Sequence, residues 1–502
     1  MKRTCVRPVL VPPLCVALVG SLLLPSLLPT MALGAASLAA QSVPAPKQSA
    51  WDHAVALEGL VDEMATTLWD YSEIALLEER SAVYLSDLLE GEGFTLERGV
   101  ADMPTAFVAE YGSGRPIIGI LAEFDALPGI GNAPVPGREA RHDGWPHGHG
   151  CGHNLFGAAS VGGALAMKRA MDEHGLQGTI RLYGTPAEET VVGKVYMTKA
   201  GVFDDLDAAL EWHPDLETKT GNQHTQAMNN FEVEFRGQAA HGAFDPWNGR
   251  SALDGVELMN DGVNLLREHI RPTTRIHYVI PSGGQAPNVV PEYAKVWYYV
   301  RDENRELVEL YYNRVLDAAR GAAIATQTEH TVTLLTGVHA VLFNRPMQEA
   351  VQANLELVGA PEFTEEEHQF AREMQAFLDL DQTGFNKGVK ELAPEPLPMG
   401  GGSTDVAEVS RVTPTAGFTV ASAPAGVPWH SWATSASHGT GAGLKAARVA
   451  TQVMALSGMD LLLDAELLAE ARVEFEAAMA GKPYVSPVPA DQKPVLPPKP
   501  GG

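Results

Sequence analysis

Cys151-Gly152-His153 sets a thiol and an imidazole two residues apart, directly after His147-Gly148-His149-Gly150. Thiolate sulfur and imidazole nitrogen both suit zinc, and the intervening glycines let the backbone turn tightly. A polar surface turn has the same composition. Glu188 and Glu189 follow Thr185-Pro186-Ala187. Adjacent side chains on extended backbone point in opposite directions, so one carboxylate can bind a metal while its neighbour moves protons. Two solvated acids opening a helix are the plainer alternative. Glu211-Trp212-His213-Pro214 closes an apolar run on a histidine, which a hydrogen-bonded core histidine also explains. Pro428-Trp429-His430-Ser431 and His438 add two more imidazoles. Each signal is weak singly. A cysteine, two histidines and a glutamate, each just after a strand-like run, point to one assembled site.

Such residues need a scaffold. Residues 51–89 carry helical spacing, and AFVAEYG (106–112) and IIGILAEFDAL (117–127) read as strands, the second covered on both faces. A Gly/Pro/His-rich loop leads to a small-residue helix over 155–173. TIRLYGTPAEE and AALEWHP are strands with polar chemistry at their carboxyl ends. Strands alternating with helices predict an α/β/α catalytic domain whose site gathers at those strand ends. From about 226 the order becomes βαββαβ, a ferredoxin-like pattern. We therefore expect an α/β, two-domain chain. Its catalytic domain is built from two segments, 51–225 and 343–480, with a second domain inserted between them at 226–342. Residues 41–50 read as a flexible leader, and the Pro-rich 481–502 as disordered.

The chain has 502 residues, 45% hydrophobic, with 62 acidic against 36 basic side chains and a net charge of -26. A surface so acidic excludes nucleic acid and repels an anionic membrane. Residues 1–40 have a basic start, an apolar stretch and small residues near Ala39 and Ala40. That is the order of an export signal, so we expect a periplasmic or extracellular protein that leaves the membrane after cleavage; an uncleaved anchor is the alternative. Cys5 and Cys15 would leave with the signal, and Cys151 alone would remain, either as an inert buried thiol or as a metal ligand.

Several motifs in order then carry a resemblance: LAEFDALPGIGNA (121–133), GHGCGHN (148–154), TPAEE (185–189), EWHP (211–214), AAHGAFDPWNGRSALD (239–254), GGQAPNVVP (283–291), FTEEEHQFARE (363–373), GGGSTDVAEVS (400–410) and PWHSW (428–432). The chain resembles the co-catalytic-metal aminoacylase and carboxypeptidase family, in its amidohydrolase branch. Glu123 and Asn154, where that branch usually has Asp, resemble its aminobenzoyl-glutamate subgroup. The resemblance implies two divalent metals, zinc or manganese, held by Cys151, His153, Glu189, His213 and His430, with His438 the alternative last ligand. It implies Glu188 as general acid/base and His241 as an oxyanion donor from an inserted lid, usually across a dimer. Asn288 and Arg301 would bind the substrate carboxylate, the arginine fork suiting it bidentately; a strand-edge ion pair is the alternative for Arg301. Asp125 would orient a metal-binding histidine. A homodimer is expected, with a related sister subunit as a further partner.

The expected activity is hydrolysis of the amide of an N-acyl or N-aroyl amino acid. Water acidified by the metals would lose its proton to Glu188, which would pass it to the leaving amine. A di- or carboxypeptidase on the same scaffold and a non-catalytic exported binding protein are the alternatives. A structural metalloprotein would instead close its site with four ligands.

Overall fold

The computed structural model describes residues 43–398 and 402–497. Its strands, in chain order, are β1 (Thr95–Arg98), β2 (Phe107–Ser113), β3 (Ile117–Glu123), β4 (Gly178–Thr185), β5 (Ala208–Asp215), β6 (Lys219–Thr220), β7 (Ala227–Arg236), β8 (Arg275–Ser282), β9 (Tyr293–Asp302), β10 (Glu329–Val338) and β11 (Thr415–Ala421). They form two sheets, a large one ordered β1-β2-β4-β3-β5-β11-β6 and a smaller one ordered β10-β7-β9-β8.

At the centre of the large sheet β4, β3, β5 and β11 run parallel, flanked on one side by β2, antiparallel to β4, with β1 antiparallel to β2 beyond it, and on the other by antiparallel β6. Ile118, Ile120, Leu121 and Ala122 of β3 are all buried, because helices cover both faces of a parallel sheet. One face carries the helix His153–His174 packed against Gly441–Leu463, both rich in alanine and glycine. The other carries the short helix Gly193–Lys199, with Val195 and Met197 in a second core beside Leu121 and Tyr183. The parallel strands bring the ends of β3, β4 and β5 to one rim, where Glu123, Thr185 and His213 lie.

Residues 227–338 run strand, helix Ala252–Leu266, two strands, helix Arg305–Thr326, strand. All neighbours in their sheet are antiparallel. The alternating inward residues Phe231, Val233 and Phe235 of β7 and Ala294, Val296 and Tyr298 of β9 share a core with both helices. Chain returning from β10 enters the helix Arg345–Val358, started by the Asn344 side chain accepting from the Met347 amide. It then supplies β11, between β5 and β6.

Two expectations at the ends change. Residues 45–50 are not a loose leader: Ala45–Ala56 is a helix, with Ala50 and Ala54 buried and Lys47 Nζ 2.7 Å from Asp460. Proline in the first helical turn costs no hydrogen bond, so Pro46 is no obstacle. Residues 481–497 are likewise packed. Tyr484 donates to Glu408 at 2.6 Å, Val488 is buried, and the Gln492 amide donates to the Leu334 carbonyl at 2.6 Å. Proline excludes helix and inner strand, but not an extended strap satisfied by side chains. The expected export signal at 1–40 lies outside the described residues. Among those described, no helix is long and apolar enough to cross a membrane.

Candidate active site

Cys151 closes the loop before the helix His153–His174, and Gly152 between Cys151 and His153 has φ 83°. A β-carbon at Gly152 would lie 2.8 Å from the Pro214 ring, so only glycine fits the turn that delivers both donors to the end of β5. Cys151 Sγ stands 3.3 Å from His213 Nε2 and 3.2 Å from His430 Nε2. His430 Nε2 is in turn 3.4 Å from Glu189 Oε2. The donor atoms of Cys151, His153 and His213 all lie within 4.8 Å of one another, as do those of Cys151, Glu189 and His430, and those of Glu123, His153 and Glu188. Five residues spread from 151 to 430 thus meet at one rim. The His430 side chain is 51% exposed, which leaves the cluster open on that side.

Asp125 fixes two members. Its Oδ1 is 2.8 Å from His153 Nδ1, and its Oδ2 accepts from the Glu189 amide at 2.9 Å. Burial opposes charge on Asp125, but the His153 imidazole holds its carboxyl below the usual range. With Nδ1 engaged, His153 presents Nε2, which is 3.1 Å from Glu123 Oε2 yet not aligned to hydrogen bond with it. Glu189 Oε1 is also buried without a hydrogen bond among the described residues. Burial, Asp125 and Glu123 push Glu189 up to about 8, and burial with Glu189 nearby pushes the Cys151 thiol up. Burial and the neighbouring His153 push His213 down to about 4, so it is a neutral imidazole. Neutral imidazole, thiol and crowded carboxylate with idle buried atoms fit a soft-to-borderline divalent cation, which alone would relieve the repulsion.

Of the two final histidines, His430 joins the cluster and His438 does not. Both His438 nitrogens are engaged, at 3.1 Å from Ser422 Oγ and 2.7 Å from the His149 carbonyl. His149 donates to the Leu68 carbonyl within the core.

Glu188 is buried beside the cluster, and burial, Glu123 and Asp405 raise its carboxyl well above the usual range. It lines a cavity of about 390 Å³ together with Cys151, His213, Trp429 and His430. The turn carrying it is strained: Ala187 and Val191 have φ 59° and 52°. Two carboxylates clamp that turn, Glu78 accepting from the Ala187 amide at 2.9 Å and Asp125 from the Glu189 amide.

The smaller sheet supplies Arg301, half-buried on β9, whose charge is felt at both Glu188 and His430. It makes no ion pair among the described residues, and its Nε has no hydrogen bond. His241 and Asn288 are not brought to the cluster. They are exposed neighbours on adjoining loops, where the Gly242 amide donates to the Asn288 carbonyl at 2.9 Å. Among the described residues, no hydrogen bond joins Asn288 to Arg301.

Sequence reasoning assigns no role to Lys194. Its ammonium is wholly buried, 2.8 Å from Glu123 Oε1 and 2.6 Å from Asp405 Oδ1. The available signal is a lysine inside an apolar helical run, facing an aspartate of the GGGSTD stretch.

Residues 119–486 match the model of peptidase family M20/M25/M40. The chain belongs to the M20 family. It is 36% identical over 457 residues to the B subunit of p-aminobenzoyl-glutamate hydrolase from Escherichia coli, spanning 86% of this chain and 95% of that one. It is 30% identical over 312 residues to Xaa-Arg dipeptidase of Homo sapiens, spanning 58% of this chain and 66% of that one. Among solved structures its fold is shared with the aminobenzoyl-glutamate utilization protein of Klebsiella pneumoniae, at TM-score 0.55 and 19% identity, covering 81% of this chain and 97% of that one. As an M20 protein the chain is an amide-bond hydrolase, and its cluster is a candidate metal centre.

Proposed function

We propose that this M20 enzyme hydrolyses the amide of N-acyl or N-aroyl amino acids, aminobenzoyl-glutamate among them, with two divalent cations held by Cys151, His153, Glu189, His213 and His430. The observation that carries the reading is the convergence of those five donors beside Glu188, with Cys151, His213 and His430 lining the same cavity as that glutamate. Zinc suits the sulfur and imidazoles, and manganese the carboxylate and imidazoles. Once bound, the metals polarise the amide carbonyl and acidify water. Glu188 takes a proton from the attacking water as oxygen bonds to the carbonyl carbon. It returns that proton to nitrogen as the C–N bond breaks, releasing the free amine and the acid. A buried carboxyl whose proton affinity lies well above an ordinary glutamate's is tuned for that exchange.

Residues 226–342 serve as the lid in this reading. Arg301 receives the amino acid's carboxylate, with Asn288 and His241 brought up by closure or by a second copy of the chain. The exposed apolar side chains beside His241 support the second route: Phe244 is 79% and Trp247 72% exposed, and β8 is a free edge carrying exposed Val279 and Ile280. A homodimer would cover them and lend His241 in trans. The similarity to one subunit of a hydrolase makes a sister subunit a second candidate partner. Residues 1–40 support export, so the substrate would be met outside the cytoplasm.

The test is metal analysis coupled to a panel of N-acyl amino acids, N-aroyl amino acids and unblocked dipeptides. Purified protein should carry stoichiometric zinc or manganese and cleave the acylated set. Glu188→Gln should keep the metal and lose roughly 10²- to 10⁴-fold in turnover. Undiminished turnover in that variant would falsify the mechanism, and a preference for unblocked dipeptides would replace the substrate class.

A further inference from the structure

The cavity continues below the metal cluster, and one carboxylate there is used by nothing described so far. Glu211, His213 and Asp215 alternate on one face of β5, and all three line the cavity. Glu211 is deeper than His213 by two residues, roughly 7 Å along a strand. Its carboxyl lies over β11, where its register partner is Gly417. A β-carbon at Gly417 would fall 1.6 Å from Glu211 Oε1, so the glycine makes the space that the carboxylate occupies.

Among the described residues, no cation stands within ion-pair distance of Glu211. Lys194 is taken by Glu123 and Asp405. Lys219, the cation on the cavity wall, stands 3.1 Å from Glu217 and 3.5 Å from Asp215. Nor does any hydrogen bond among the described residues reach the Glu211 carboxyl. Val341, Phe343 and Trp429 wall the same cavity. An acid at the base of an apolar-walled cavity, beside a hydrolytic centre, is a recognition element in search of an N–H donor.

We propose that Glu211 binds an amine nitrogen at the far end of the substrate's acyl group. This rests on the reading of the site as an amidohydrolase of acyl amino acids and deepens it. Arg301 does not line the cavity, so the two poles are separate: a guanidinium for the amino acid's carboxylate, a carboxyl for the acyl group's amine. The scissile carbonyl lies between them, at Cys151 and Glu188. A para-substituted aromatic ring spans the drop from His213 to Glu211 with its faces on the apolar walls. A flexible aliphatic amine reaches the same carboxylate.

The experiment compares kcat/KM for matched pairs with wild type, Glu211→Gln and Glu211→Leu. The aryl pair is 4-aminobenzoyl-glutamate and benzoyl-glutamate. The aliphatic pair is 6-aminohexanoyl-glutamate and hexanoyl-glutamate. Wild type should favour the amine member of one pair about tenfold, the value of one hydrogen bond to a charged group, and that pair identifies the carrier. The preference should vanish in Glu211→Leu and survive to a lesser degree in Glu211→Gln. Gly417→Ala, which displaces the same carboxylate, should reduce it too. Should Glu211→Leu lose all turnover, the binding ratio of 4-aminobenzoate to benzoate is read by calorimetry on wild type and Glu211→Gln, and must fall. No amine preference in wild type, or an equal preference without Glu211, overturns the assignment and leaves the amidohydrolase reading intact. Cleavage of neither pair, nor of any other acyl amino acid, overturns that reading and this one together.

Discussion

A lysine with no exposed surface, facing two acids beside the candidate metal centre, shows how much of this site is held by charge. Lys194 Nζ lies within ion-pair distance of both Glu123 and Asp405. Burial pushes the Asp405 carboxyl up to about 7 despite the ammonium beside it. Glu123 in turn lies against His153, so the lysine fixes a carboxylate that fixes the imidazole's surroundings. Removing one partner from a buried ion network leaves the others uncompensated, at about 3–5 kcal/mol. Lys194→Met should therefore lower stability by that amount, read as a fall in the urea midpoint at unchanged m-value. A shift below about 1 kcal/mol would mean that the acids are satisfied without it. Little of this is legible in sequence: a lysine inside an apolar helical run is a hint, but a buried lysine and a surface lysine are written with the same letter. The cluster of Cys151, His153, Glu189, His213 and His430 is legible for two different reasons: Glu189 and His213 come at or just after apolar strands, whereas Cys151 and His153 stand out by their glycine-flanked spacing and His430 by its place beside a tryptophan.

At the scale of elements, the turn after β4 stores strain that its surroundings must hold. Ala187 and Val191 sit in the left-handed region, which costs an ordinary residue about 1–3 kcal/mol. Glu78, wholly buried, accepts from the Ala187 amide and from Thr105 Oγ1 at 3.0 Å. Burial and nearby Asp125 push its carboxyl up to about 8. Glu78→Ala frees both donors and lets the turn relax, moving Glu188 and Glu189 together. Turnover should fall roughly tenfold or more, since a 1 Å misplacement can cost a hundredfold, with KM nearly unchanged because Arg301 on β9, the proposed carboxylate site, is untouched. A fall in turnover no larger than the fraction of protein left unfolded, read from its denaturation curve, would assign Glu78 to general stability instead. The strands are readable from an apolar run in β3 and from alternation in β7. The clamp is not, since Glu78 is 109 residues from Ala187 and lies in a loop with no periodicity. The helix at Ala45–Ala56 escapes sequence reasoning for a related cause: its prolines look like linker, and only the body against which Ala50 and Ala54 bury makes it a helix.

Across the whole molecule, the small sheet is tied to the catalytic turn at several points. Thr336 of β10 donates to the Val191 carbonyl at 2.6 Å, Tyr196 to the Leu335 carbonyl at 3.2 Å, and the strap at 481–497 links Gln492 to both sides. These ties hold the β10 side of the sheet, whereas β8 is the opposite edge, and the loops bearing His241 and Asn288, which follow β7 and β8, are exposed. A sheet anchored at one edge cannot easily carry His241 to Glu188 of its own chain, but it can offer that edge to a second copy. The residue types of the proposed lid are legible in sequence, but not the protomer they would serve, because the fold of one chain does not encode its symmetry operator. The distinction can be forced by mixing two inactive proteins. Glu188→Gln lacks the proton carrier, and His241→Ala should lose roughly 10²- to 10³-fold as an oxyanion donor does. Co-expressed with different tags and purified as the mixed pair, they place an intact Glu188 opposite an intact His241 at one site of two. Turnover per dimer should then recover to about half of wild type, as isologous pairing requires. Activity no higher than the better parent would place His241 in the service of its own protomer, and the lid would have to close by bending the sheet at β10.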